Sequence, residues 1–170
     1  MKLFLILLIF LFSKVYVHSA ELTIEGSGTE ETASIFNYGG DKLFILWKAN
    51  FQNKSNLGVI SVGNCGGTIQ ILNGQQIQNI MCENRNKYGK YQWVTGKARG
   101  DAGAGDGNAN VQHFDIVGGD GVWKDFVGVK CYGAYFGLPE NHFTWKGKCN
   151  VPDSLMRNTR EKIANFSEDN

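Results

Sequence analysis

Histidine is the most versatile side chain for proton transfer near neutral pH, and this chain has three. His18 falls in an apolar leader, which leaves His113 and His142. His113 stands two residues before Asp115, so in a strand both project from one face and a His–carboxylate contact becomes feasible. The same spacing describes an ordinary polar strand face, with Phe114 and Ile116 turned the other way, and that is the preferred reading. No Gly-x-Ser-x-Gly elbow presents a serine nucleophile. His142 lies where a turn is expected.

The four cysteines, Cys65, Cys82, Cys131 and Cys149, lack the Cys-x-x-Cys spacing of a zinc site, and no histidine is near them in sequence. Asp106-Gly107-Asn108-Ala109-Asn110 fits the opening ligand positions of a calcium loop. Val111 then takes the place of the required glycine and Val117 that of the bidentate glutamate, so an EF-hand is excluded. A looser site on Asp101 and Asp106 stays open as an alternative to a plain loop. Four tryptophans (Trp47, Trp93, Trp123 and Trp145) could line a ligand cavity or pack as core. Tyr91, Trp93, His113 and Trp123 are the candidate ligand-binding residues, with Trp93 foremost. No catalytic residue, metal ligand or cofactor is assigned.

These residues sit on a pattern of short strands. Residues 43–49, 57–62, 67–72 and 75–82 are strand-like runs, and residues 21–31 form a polar strand start or lead-in. Asn73-Gly74 between two such runs marks a hairpin, because a type I′ turn needs positive φ at both positions. Tyr91, Trp93 and Thr95 alternate with polar neighbours or Val94. Residues 98–110 hold four glycines and read as a long loop; residues 111–117 resume a strand. Residues 122–136 and 142–149 read as aromatic strands broken by single glycines. One helix is expected at the end, capped by Pro152-Asp153-Ser154, with Leu155, Met156, Thr159, Ile163 and Phe166 along one side.

Hairpin register predicts the disulfides. A two-residue turn at Asn73-Gly74 pairs residues whose numbers sum to 147, as 65 and 82 do. Alternation makes them a non-hydrogen-bonded pair, with Cα atoms about 4.5 Å apart, close enough for a bridge. This register sets Ile69 and Ile71 opposite Gln78 and Gln76, so neither face is cleanly apolar. Cys131 and Cys149 centre on Glu140 across a loop at 138–142, with Tyr135 facing Trp145 and Gly133 facing Gly147, where another chain could approach. The alternative is a long-range staple between distant strands.

Met1-Lys2 followed by ten apolar residues reaches only about 15 Å as a helix, half of a roughly 30 Å bilayer core. Val17 and Ser19 suit a signal-peptidase site, so residues 1–19 read as a signal peptide, 20–152 as the domain and 153–170 as helix and tail. Export makes an even cysteine count meaningful, and Asn53 and Asn165 begin glycosylation triplets should the source be eukaryotic. The expected location is extracellular or, in a bacterium, periplasmic. The full chain carries a net charge of +1, and removing Lys2 and Lys14 turns it to −1. That excludes an electrostatic footprint for nucleic acid or anionic lipid. With 22 Gly and 2 Pro, an all-helical fold is disfavoured too.

Residues 114–128 run from Phe114-Asp115-Ile116-Val117 into Gly118-Gly119-Asp120-Gly121, then Trp123 and Gly128. This resembles the pattern of allene-oxide-cyclase-type and dirigent barrels: an apolar strand, Gly-Gly-Thr-Gly, an aromatic residue and a later glycine. Asp120 stands where that family has threonine and Val127 where it has alanine. The resemblance implies an eight-stranded antiparallel barrel with an apolar cavity, and locally a strand, a tight turn and a bulged return strand. No functional residue of the family carries over. The expected fold is therefore all-β, an antiparallel closed barrel (calycin-like or allene-oxide-cyclase-like) with a short C-terminal helix, or else a β-sandwich. The expected function is non-catalytic binding of a small apolar or aromatic ligand. Its alternatives are a secreted interaction or effector protein acting through surface loops and, third, a cyclase-like enzyme.

Overall fold

The computed structural model describes residues 19–95 and 109–166. The leader and the glycine-rich stretch with its candidate calcium ligands Asp101 and Asp106 lie outside the described residues. Eight antiparallel strands follow one another around a closed barrel: β1 (Ser19–Asn37), β2 (Lys42–Ser55), β3 (Ile60–Leu72), β4 (Gln75–Asn86), β5 (Gly89–Thr95), β6 (Ala109–Gly119), β7 (Lys130–Leu138) and β8 (His142–Pro152). β8 closes on β1, pairing Ser19 with Pro152 and Thr29 with His142. The expected barrel is correct, and closure leaves no sandwich edge. The polar lead-in is a full strand, and residues 57–62 and 67–72 belong largely to one continuous strand, β3.

Both disulfides form as register arithmetic predicts. Cys65 pairs with Cys82 and Cys131 with Cys149, at Cα separations of 4.1 and 4.2 Å. Gly133 does face Gly147. A Cβ on Gly147 would lie 2.8 Å from Trp145 Cζ3 and 3.1 Å from Phe114 Cζ, so the space is taken by the barrel's own rings. Likewise Tyr135 pairs with Trp145 in register but stacks its ring on Phe143, with centroids 5.0 Å apart.

Residues 122–136 correct the sequence reading. Gly121, at φ +55°, turns the chain into a 3-10 helix, Gly121–Phe126, instead of a return strand. Val122, Trp123 and Phe126 are buried while Lys124 and Asp125 are exposed, and so short a stretch does not separate a strand period from a helical one. This turn and α1 (Asp153–Ala164) plug one end of the barrel. Met156 and Thr159 are buried there, and Phe126 is fully enclosed. Pro152 occupies the cap position of α1 without a side-chain cap bond, and Asp153 supplies a favourable negative charge in the first turn. Lys162 joins Asp125 of the 3-10 helix at 2.8 Å. Among the described residues, no helix is long and apolar enough to cross a membrane.

Candidate functional site

An eight-stranded barrel is just wide enough to be filled by side chains or to hold one small ligand. Here the two halves differ. Toward the plugged end the inward residues are large and fitted: Leu22, Ile24, Phe51, Tyr91 and Ile116 are all buried. Asn53 donates to Asn84 Oδ1 at 2.7 Å, and Asn86 donates to Ser61 and accepts from Trp123 Nε1 at 3.3 Å. Toward the other end, ringed by the β3–β4 turn and the β7–β8 loop, lies a cavity of about 470 Å³.

Ile45, Ile69, Ile71 and Ile80 form one apolar wall of this cavity, and Tyr135 and Phe143 another. Trp93, Phe114 and Trp145 cluster with ring centroids 5.0 to 6.2 Å apart and also contribute to the lining. The Cys65–Cys82 bridge lines it too. The glutamines that spoiled the hairpin's apolar face, Gln76 and Gln78, are lining residues as well. They occupy inward positions because what they face there is an open space and not packed core.

Glu30 is a cavity-lining residue that the sequence reading missed. Along β1 the inward positions are Leu22, Ile24, Gly26, Gly28 and Glu30, so two glycines hide the alternation. A Cβ on Gly28 would run into Asn50 O of β2 and lie 2.8 Å from Phe51 Cβ and 2.9 Å from Phe143 Cζ, so the glycine admits both the neighbouring strand and that ring. Glu30 sits one residue beyond the last β1–β8 pair, where its backbone N–H still reaches Asn141 O at 2.8 Å. Its Oε2 accepts both Tyr135 Oη–H at 2.6 Å and Trp47 Nε1–H at 2.8 Å. Among the described residues nothing bonds its Oε1 and no cation pairs with it. Burial, the hydrogen bond to Glu30 and its negative charge all push the Tyr135 phenol upward, so Tyr135 remains a donor.

Among the described residues four buried side-chain atoms have no partner: Gln78 Oε1 and Trp93 Nε1 on lining residues, and Ser55 Oγ and Asn84 Nδ2 in the filled half. Gln78 is 4% exposed. Native structures pair nearly all such atoms with protein, water or ligand. The charged lining residues are Glu30 and Glu140; no lysine, arginine or histidine lines the cavity among the described residues.

Of the four candidates read from sequence, only Trp93 lines the cavity. Tyr91 points inward but is packed against Trp123 at 5.0 Å in the filled half, and burial raises its phenol pKa. Trp123 belongs to the plug. His113 is exposed beside Asp115 on the outer face, the polar strand face that was expected. His142 is exposed at the start of β8. Asn53, offered as a glycosylation site, is 4% exposed and turned into the barrel, where a glycan has no room; Asn165 is exposed just beyond α1. No group of three His, Cys, Asp or Glu side chains able to hold a metal ion occurs among the described residues. No protein-family model, curated protein or solved structure matches the chain.

Proposed function

We propose that this chain is an exported barrel that binds a small, largely apolar or aromatic molecule in the cavity at the end away from α1. One observation carries the reading: a 470 Å³ space walled by isoleucines and aromatic rings, with unpartnered polar atoms at Gln78 and Trp93. Small-molecule sites are commonly 300–1,000 Å³, mostly apolar, with a few convergent polar groups. The plugged end and two disulfides supply the rigid frame such a site needs. The disulfides are also consistent with an extracellular or periplasmic location. Kinship with allene-oxide-cyclase-type and dirigent barrels belongs to the same proposal.

Native mass spectrometry of protein purified from its source tests this directly. A co-purifying small molecule, released by denaturation and lost in a cavity-filling Ile69→Trp variant, is the expected result. Protein that carries nothing and fails to bind an apolar fluorescent probe would refute it.

A second reading is favoured by Glu30 alone. A carboxylate facing a cavity and paired with a protonated tyrosine is the arrangement that a cyclase-like enzyme would use for acid–base chemistry. Recovery of a chemically altered compound in place of the one supplied would select it over binding.

A further inference from the structure

Resting on the reading of the cavity as a ligand site, we propose that its preferred occupant is a small organic cation: an amine carrying an aromatic or branched-alkyl body. The reasoning begins with desolvation. Any molecule that fills the cavity strips water from Glu30, and an uncompensated carboxylate in apolar surroundings is costly. Tyr135 and Trp47 compensate only Oε2; Oε1 is left for the occupant. A neutral apolar ligand cannot repair that loss and an anion aggravates it. An ammonium group repairs it with a charge-assisted hydrogen bond, which is stronger than a neutral one.

Three further features point the same way. The second charged lining residue, Glu140, is also acidic, and the lining holds no basic side chain among the described residues. The two donors to Glu30 are the edges of the Trp47 and Tyr135 rings, which set an apolar border beside the carboxylate for the body of the occupant. Gln78 Oε1 is buried and without a partner among the described residues, and a turn of that side chain into the cavity would give an ammonium group a second acceptor.

The test uses three probes of equal shape and different charge: 4-phenylbutylamine, 4-phenylbutanol and 4-phenylbutyrate. Each is titrated into the oxidised protein at neutral pH, with binding read by calorimetry and by tryptophan fluorescence. The amine should bind about tenfold to a hundredfold more tightly than the alcohol, the gain of one charge-assisted contact, and the butyrate should bind weakest. Glu30→Gln should erase the amine's advantage and leave the alcohol within about threefold of its original affinity, since a neutral ligand makes no charged contact there. His113→Ala, on the outer face, should change none of the three. Equal binding of amine and alcohol, a preference for butyrate, or an amine preference that survives Glu30→Gln would each overturn the proposal while leaving a ligand cavity in place. Failure of all three probes to bind would instead remove the cavity reading and this proposal with it. The ranking in the unmodified protein decides the charge preference even should Glu30→Gln fail to fold.

Discussion

Removing each disulfide separately should distinguish the filled half of the barrel from the open half. The two bridges close loops of nearly equal length, with sequence separations of 17 and 18. Loop-closure entropy therefore assigns each about 3 kcal/mol. Their surroundings differ. All four cysteines are buried, but Cys65 and Cys82 line the cavity and Cys131 and Cys149 do not. Replacing Cys131 and Cys149 together by alanine leaves a new void among close-packed atoms, adding about 1–2 kcal/mol to the entropic loss. The same change at Cys65 and Cys82 only enlarges a space that already exists, so the addition is smaller, roughly 0–1 kcal/mol. The expected losses are then about 4–5 and about 3–4 kcal/mol, against a total of roughly 5–15 for a domain of this kind. Urea unfolding of the oxidised protein and both double variants measures this. The slope m should rise in both variants, because an uncrosslinked denatured chain exposes more surface. A larger loss at Cys65/Cys82 than at Cys131/Cys149 would refute the assignment of filled and open halves. A loss below about 1 kcal/mol in either variant would refute the loop-entropy reasoning itself.

Trp93→Phe should keep most ring packing against Phe114 and Trp145 while deleting the unpartnered indole N–H; thermal unfolding is expected to show stability unchanged or raised by up to about 1 kcal/mol. Gly133→Ala and Gly137→Ala, four residues apart on β7, should behave oppositely in the same assay. A Cβ at Gly133 would lie 2.6 Å from Lys146 O and force the sheet apart, whereas at Gly137 it meets nothing within 4 Å, so only the first variant should lose stability. At high pH, Tyr91 and Tyr135 should be the last tyrosines to ionise, and only as the barrel opens. Their phenol pKa values are raised by folding, so the stability they confer is complete below the ordinary tyrosine value of about 10 and is lost as pH climbs above it. Absorbance at alkaline pH, followed together with circular dichroism, checks that coupling; phenolate appearing in full before the fold is lost would contradict it.

The parts of this fold that were legible in the sequence share one property: they follow from local geometry. The Asn73-Gly74 turn adopts positive φ at both residues, and once the turn is set, parity alone carries Cys65 to Cys82. The Tyr91–Trp93–Thr95 alternation similarly marks one inward face, on which Thr95 Oγ1 accepts the Ile80 N–H. What was not legible depends on tertiary context. The 3-10 helix follows from Gly121 and from a barrel end that needed covering, and neither appears in the hydropathy of Val122 to Phe126. Tyr91 and Trp93 share a face, yet only their different depths along the barrel make one a packing residue and the other a cavity wall. Glu30 escaped notice because Gly26 and Gly28 contribute no apolar signal to the inward face of β1. Counting glycine as a member of an inward face, opposite rings such as Phe143 and Trp145, would have exposed the period of two and Glu30 at its end.

The residue mismatch that looked like a flaw in the hairpin turns out to be informative. Ile69 and Ile71 stand across from Gln78 and Gln76, a pairing that a filled core would not tolerate without partners for the amides. The barrel accommodates it by leaving space at that level, and small inward residues on the neighbouring strands keep the space open. Thr95 on β5 and Gly133 on β7 line it, where nearer α1 the same two strands carry Tyr91 and Cys131. Inward polarity is met in two ways: by hydrogen bonds in the filled half, where Asn53 donates to Asn84 and Asn86 to Ser61, and by open space at this level. Glu30 obeys the same logic at the rim. β8 has stopped pairing there, and a carboxylate bound by Tyr135 on β7 and Trp47 on β2 spans the gap that the strand leaves. One side chain thus holds the seam of the barrel and presents its remaining oxygen at the mouth. The structural and the chemical roles of Glu30 have a common origin, the early end of β1–β8 pairing.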